Sequence, residues 1–122
     1  MRTYPRTSFE RCIQIARWVN HEFDIWEPGA VRIELVPELE GGSAIGITFE
    51  RRGKLIVQLA KKGNPTRSMM IDTLLHELAH VALWDTGRGL LHGKEYWITF
   101  GRIWDAYHDR GFSDSKSYSC ET

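Results

Sequence analysis

Apolar residues recur at helical intervals in three stretches of the chain and crowd into strand-like runs in three others, and their order sets the outline. Phe9, Cys12, Ile13, Ala16, Val19 and Phe23 fall on one side of a helix, and Thr7 stands three residues before Glu10, the spacing of a capping box. The pattern predicts a first helix over roughly residues 8 to 24. Three runs follow, Val31 to Val36, Ala44 to Phe49 and Leu55 to Ala60, separated by the turn-prone groups Glu40-Gly41-Gly42 and Arg51-Arg52-Gly53. Short links predict an antiparallel meander.

Beyond the strands, Asn64-Pro65-Thr66 signals a helix start. Ile71, Leu74, Leu75, Leu78, Ala82 and Leu83 then mark a second helix, closing near Gly87 or Gly89. Trp97, Phe100, Gly101, Trp104 and Tyr107 keep helical spacing until about Gly111 and give a third. The outline is an α+β domain over residues 1 to 112, with a serine-rich stretch from 113 to 122 read as a flexible tail.

With 122 residues, the chain is long enough for one hydrophobic core and short for two. Sixteen basic and sixteen acidic side chains cancel, so the general positive field of a nucleic-acid binder is absent. Cys12 and Cys120 lie far apart with no second pair, which suits reduced thiols better than a disulfide framework. The opening Met1 to Arg6 is charged and leads into no apolar run, and His76, Glu77 and His80 interrupt the longest apolar stretch. The expectation is a soluble, intracellular protein of the cytoplasm with no membrane partner; no feature addresses its oligomeric state.

Those three interrupting residues carry the chemistry. His76-Glu77-Leu78-Ala79-His80 fits the pattern H-E-x-x-H within the second helix. Residues four apart on a helix differ by about 40° in direction, so both imidazoles can converge on one ion. Glu77 flanks that face, placed to act as general base toward a water on the ion. The bland alternative is a pair of solvated polar residues. It conflicts with Leu78, Ala79, Val81, Ala82 and Leu83 around them, because unpaired imidazoles in an apolar setting are costly.

A catalytic zinc needs three protein ligands and one open position. His92, twelve residues after His80, leads as the third; Glu95 and Asp85 are the alternatives, with Asp85 last because it points off the ligand face. The longer metzincin pattern is absent, since Leu83 and Thr86 stand where its Gly and His would be.

The segments HELAHVALW (His76 to Trp84) and HGKEYW (His92 to Trp97) resemble the SprT-like, or Spartan-like, metallopeptidase family, which pairs H-E-x-x-H with a downstream H-G-x-x-aromatic. The resemblance extends over most of residues 7 to 110. It implies a compact zincin-like domain, His92 as third zinc ligand, Tyr96 at the aromatic position, and peptide hydrolysis by a zinc-activated water with Glu77 as acid and base. The shortness of the segment from His80 to His92 and the lack of DNA-binding extensions depart from larger relatives.

Further expectations surround the site. Tyr96, Tyr107 and His108 are candidate donors to a developing oxyanion. The run Leu55 to Ala60 is the candidate sheet edge for a protein or peptide substrate. Six basic residues, Arg51, Arg52, Lys54, Lys61, Lys62 and Arg67, with no acidic one among them, suggest a patch toward DNA or DNA-bound protein, against the plainer role of protecting a sheet rim. His21 and His108 lack ligand partners at helical spacing and are read as non-ligands. The competing class is a zinc-stabilised binding or regulatory module with little proteolytic activity. Glu77 argues for the enzyme, because a structural site fills its fourth position with a protein ligand.

Overall fold

A computed structural model describes residues 7–39, 44–86 and 92–110. The first helix, α1 (Ser8–Phe23), starts where Thr7 accepts the Glu10 amide on its side chain at 3.0 Å. It stops at Asp24, which takes a left-handed conformation. Asn20 seals the exit: its Oδ1 accepts the amides of Ile25 at 2.9 Å and Trp26 at 2.8 Å. The buried stripe runs through Cys12, Ile15, Ala16, Trp18 and Val19; of the expected positions Phe9, Ile13 and Phe23 are only half-buried, and Ile15 and Trp18 take their place.

The strands β1 (Val31–Val36), β2 (Gly46–Arg51) and β3 (Lys54–Ala60) do form, but not as a meander. Their spatial order is β1-β3-β2, with β1 parallel to β3 and β2 antiparallel to it. Side-chain chemistry sets this order. In β3 the residues Ile56, Val57, Leu59 and Ala60 are all buried, so it is apolar on both faces and takes the centre. β1 and β2 carry Arg32, Glu34, Glu50 and Arg51, which suit the edges. The expected edge strand, Leu55 to Ala60, is therefore the middle of the sheet; among the described residues the edges are β1 and β2.

The turn between β2 and β3 is as the sequence suggests. Arg52 and Gly53 both have positive φ, 51° and 80°, the two-residue geometry whose twist matches the flanking strands. The link at Glu40-Gly41-Gly42 lies outside the described residues.

The second helix, α2 (Arg67–Ala82), is capped by Thr66, which accepts the Met69 amide at 3.2 Å. It ends at Leu83, earlier than the glycines suggest, and a 3-10 turn over Trp84–Thr86 follows. Gly87 and Gly89 lie outside the described residues. Packed against the sheet, α1 and the third helix α3 (Lys94–Arg110), α2 has little solvent face, and Leu74, Leu75, Leu78 and Ala79 are fully buried. The result is a small α+β structure of three helices and a mixed three-stranded sheet. No described helix is long and apolar enough to cross a membrane.

Cys12 is free and fully buried, and burial pushes its thiol up to about 12, which leaves it inert. Cys120 and the stretch from 113 to 122 lie outside the described residues. The six basic residues do not form one patch: Arg51, Arg52 and Lys54 sit at one end of β3, Lys61, Lys62 and Arg67 past the other, about 20 Å away by strand rise. Arg51 is engaged by Glu34 and the Phe49 ring, and Lys62 by Glu38.

Candidate metal centre

His76 and His80 occupy successive turns of α2, and His92 enters from the residues before α3. Their Nε2 atoms form a near-equilateral triangle: 3.3 Å from His76 to His80, 3.3 Å from His76 to His92 and 3.0 Å from His80 to His92. Among the described residues this is the group of three that can hold a metal ion. Neither Glu95, at the start of α3, nor Asp85, in the 3-10 turn, belongs to it. His21 and His108 also stand outside it.

A graded exposure runs across the triangle: His80 is buried, His76 half-buried and His92 exposed, so the centre opens to solvent on one side. Burial, reinforced by His80 and His92, lowers the His76 imidazole to about 4. It is therefore neutral at pH 7, the protonation state that ligates.

Glu77 is only 5% exposed. Its Oε2 lies 3.9 Å from the His76 Nε2, and its Oε1 accepts the Thr48 hydroxyl at 2.7 Å. Burial raises the carboxyl above the ordinary range, against the lowering effect of the Thr48 hydrogen bond and of His92. A carboxylate made more basic beside a cluster of imidazoles has the character of a proton acceptor.

Strand β2 forms the wall facing this carboxylate. A Cβ on Gly46 would stand 2.6 Å from the Thr73 methyl and 3.3 Å from Glu77 Oε2, so strand and helix approach as closely as glycine allows. Asn64 fixes that approach. Its amide donates to the carbonyls of Ile45 at 3.0 Å and Ala60 at 2.7 Å, and its Oδ1 accepts the Thr73 hydroxyl at 2.6 Å. One buried side chain thus ties the start of β2, the end of β3 and α2 together. Beside it a cavity of about 290 Å³, lined by Ile45, Gly46, Asp72, Thr73, His76 and Glu77, opens next to the carboxylate.

The three candidate oxyanion donors do not converge here. Tyr96 is 1% exposed, and its hydroxyl donates to the His76 main-chain carbonyl at 2.9 Å. Its ring packs on His80 with centroids 4.6 Å apart, so Tyr96 supports the cluster from beneath. Tyr107 lies against Trp18 and His108 against Trp104, more than ten residues and about 17 Å farther along α3. Sequence reasoning missed Gly46, Thr48, Asn64 and Thr73. The available signal was local: Gly46 and Thr48 are alternate residues of one strand, hence on one face, and that face is the buried one.

Fold and centre together define an α+β structure in which two histidines of α2 and one from the residues before α3 form a cluster with a buried carboxylate beside it. No family model, curated protein or solved structure matches the chain.

Proposed function

We propose that this protein is a zinc-dependent peptidase of zincin-like fold, as the SprT-like resemblance implies, with His76, His80 and His92 as ligands and Glu77 as acid and base. The observation that carries the reading is the Nε2 triangle with sides of 3.0 to 3.3 Å. Three nitrogens at roughly 2.0–2.1 Å from a tetrahedral zinc stand about 3.3–3.4 Å apart, so the cluster fits that ion closely. Imidazole nitrogen suits zinc, and three ligands leave the fourth position for substrate chemistry.

A zinc ion held there supplies Lewis acidity toward water and toward a peptide carbonyl. The chain's own groups do the rest. Glu77 Oε2 faces the cluster, takes a proton from the attacking water and returns it to the leaving amine nitrogen. Among the described residues β2 is an edge strand, and an extended peptide can pair with it as an added strand, its side chain entering the cavity lined by Ile45, Gly46 and Glu77. A protein or peptide is accordingly the substrate. The basic residues, divided between two ends of the sheet, add no single track for nucleic acid.

The test is zinc content and casein cleavage by the wild-type protein and the His92→Ala and Glu77→Gln variants. One zinc in the wild type, its loss in His92→Ala, and retention without cleavage in Glu77→Gln support the reading. Zinc retained by His92→Ala removes the third ligand. Zinc bound by a wild type that cleaves nothing would favour a binding module.

A further inference from the structure

The peptidase reading needs Glu77 to present one particular oxygen to the metal side, yet nothing in a glutamate side chain selects that oxygen. The terminal torsion of glutamate is broad and nearly two-fold, so a free carboxylate swings its two oxygens through the site. Here it is held. Oε1 accepts the Thr48 hydroxyl at 2.7 Å, while Oε2 faces the His76 Nε2 at 3.9 Å. Both side chains are buried, at 3% and 5% exposure, so water does not compete readily for the bond. The two residues are 29 apart in sequence and belong to different layers, so the contact is a product of tertiary packing.

Resting on that reading, we propose that Thr48 is a positioning residue: its hydroxyl locks Oε1 of Glu77 so that Oε2 remains aimed at the metal cluster. The strand supplies the aim and the helix supplies the base. Gly46, two residues earlier on the same face, sets the distance, since any side chain there would push β2 away from Glu77. The network at Asn64 holds the same strand end in register with α2. Thr48 is not one of the three histidine ligands, and its hydroxyl is engaged by Glu77, so removing that hydroxyl reaches turnover through Glu77.

The experiment compares zinc-loaded wild type with Thr48→Val, which keeps the shape and removes the hydroxyl, and Thr48→Ser, which keeps the hydroxyl. Zinc content, kcat and KM on one peptide are measured for each. We expect Thr48→Val to hold its zinc and its KM while kcat falls roughly tenfold to hundredfold, the scale of losing a hydrogen bond to a charged group. Thr48→Ser should restore most of the rate. Thermal unfolding of the same proteins gives a readout independent of turnover: Thr48→Val should lower the midpoint when Glu77 is present and leave it nearly unchanged in a Glu77→Ala background.

A Thr48→Val enzyme as fast as wild type overturns the proposal. So does a Ser variant as slow as Val with equal midpoint losses in both Glu77 backgrounds, which would mark a packing role. If zinc-loaded wild type is no faster than Glu77→Gln, the peptidase reading itself fails and takes the positioning role with it, an outcome distinct from the other two.

Discussion

The Tyr96 hydroxyl donates across 2.9 Å to the main-chain carbonyl of His76, joining α3 to the first histidine of the three-histidine cluster. His92 lies four residues before Tyr96, so this bond also fixes where the third imidazole arrives. Supports of this kind orient ligands without binding the metal themselves. Tyr96→Phe keeps the ring packing on His80 and deletes only the hydroxyl. Its expected effect is a loss of zinc affinity of about tenfold, the low end for groups outside the ligand shell. Competition with a chromophoric chelator measures it, and unchanged affinity would remove Tyr96 from the supporting role.

Acid should dismantle the centre over a defined window. The His76 imidazole in the fold sits at about 4, against an ordinary 6.5, with burial the main cause. Between those values the unfolded chain binds this proton and the folded chain does not, so the contribution is intact above about pH 6.5 and lost as pH falls toward 4. Protons compete with metal for the same nitrogen. Unfolding midpoints of the chelated protein should decline through that window, and His76→Asn should flatten the decline.

Glu77 has the opposite sign. Its folded carboxyl is raised by burial, so the folded chain holds that proton more firmly than the unfolded chain and stability falls as pH rises above the ordinary carboxylate range. Glu77→Gln keeps an acceptor for Thr48 and removes the buried charge. In the metal-free protein this variant should melt higher than wild type at pH 7, with the advantage gone near pH 4. Calorimetry at the two pH values decides it; a variant less stable at pH 7 would contradict the assignment of burial as the dominant cause.

Gly46→Ala should be costly although its backbone is an ordinary strand. The added Cβ would meet the Thr73 methyl at 2.6 Å, and Thr73 cannot yield easily because its hydroxyl donates to Asn64 Oδ1 at 2.6 Å, with the Met69 carbonyl 3.0 Å away as the alternative acceptor. Overpacking of this sort costs about 1–3 kcal/mol. Denaturant unfolding tests the figure. A second substitution, Thr73→Ser, removes the obstructing methyl and should recover part of the loss.

How much of this was legible in the sequence divides by the range of the interaction. Helix α1 could be read from Thr7, Glu10 and the apolar spacing after them, because caps and periodicity are local. The tight turn at Arg52-Gly53 was legible for the same reason. The histidine triad was legible: His76 and His80 share one helical face, and His92 leads as the third from its position, although what brings it beside them is the packing of the residues before α3 on α2. Strand order was misread by assuming that consecutive strands pair, when the stronger cue was that Ile56, Val57, Leu59 and Ala60 need burial on both faces. The partners of Thr48 and Asn64 were not legible, although Asn64 opens a helix-start signal and Thr48 alternates with Gly46 on one strand face. Each acts on residues from other elements, and such partners become visible only when the layers are assembled.

Trp97 is 54% exposed, and its indole lies 6.1 Å from the His92 ring. That placement makes the chain its own optical gauge of metal loading. An open-shell ion such as cobalt(II) or copper(II) on the three imidazoles would sit close enough to this indole to quench its emission, while closed-shell zinc would leave it bright. Exchange of one ion for the other can then be followed by fluorescence alone, without label or substrate, and Trp97→Phe identifies the signal as local to the centre.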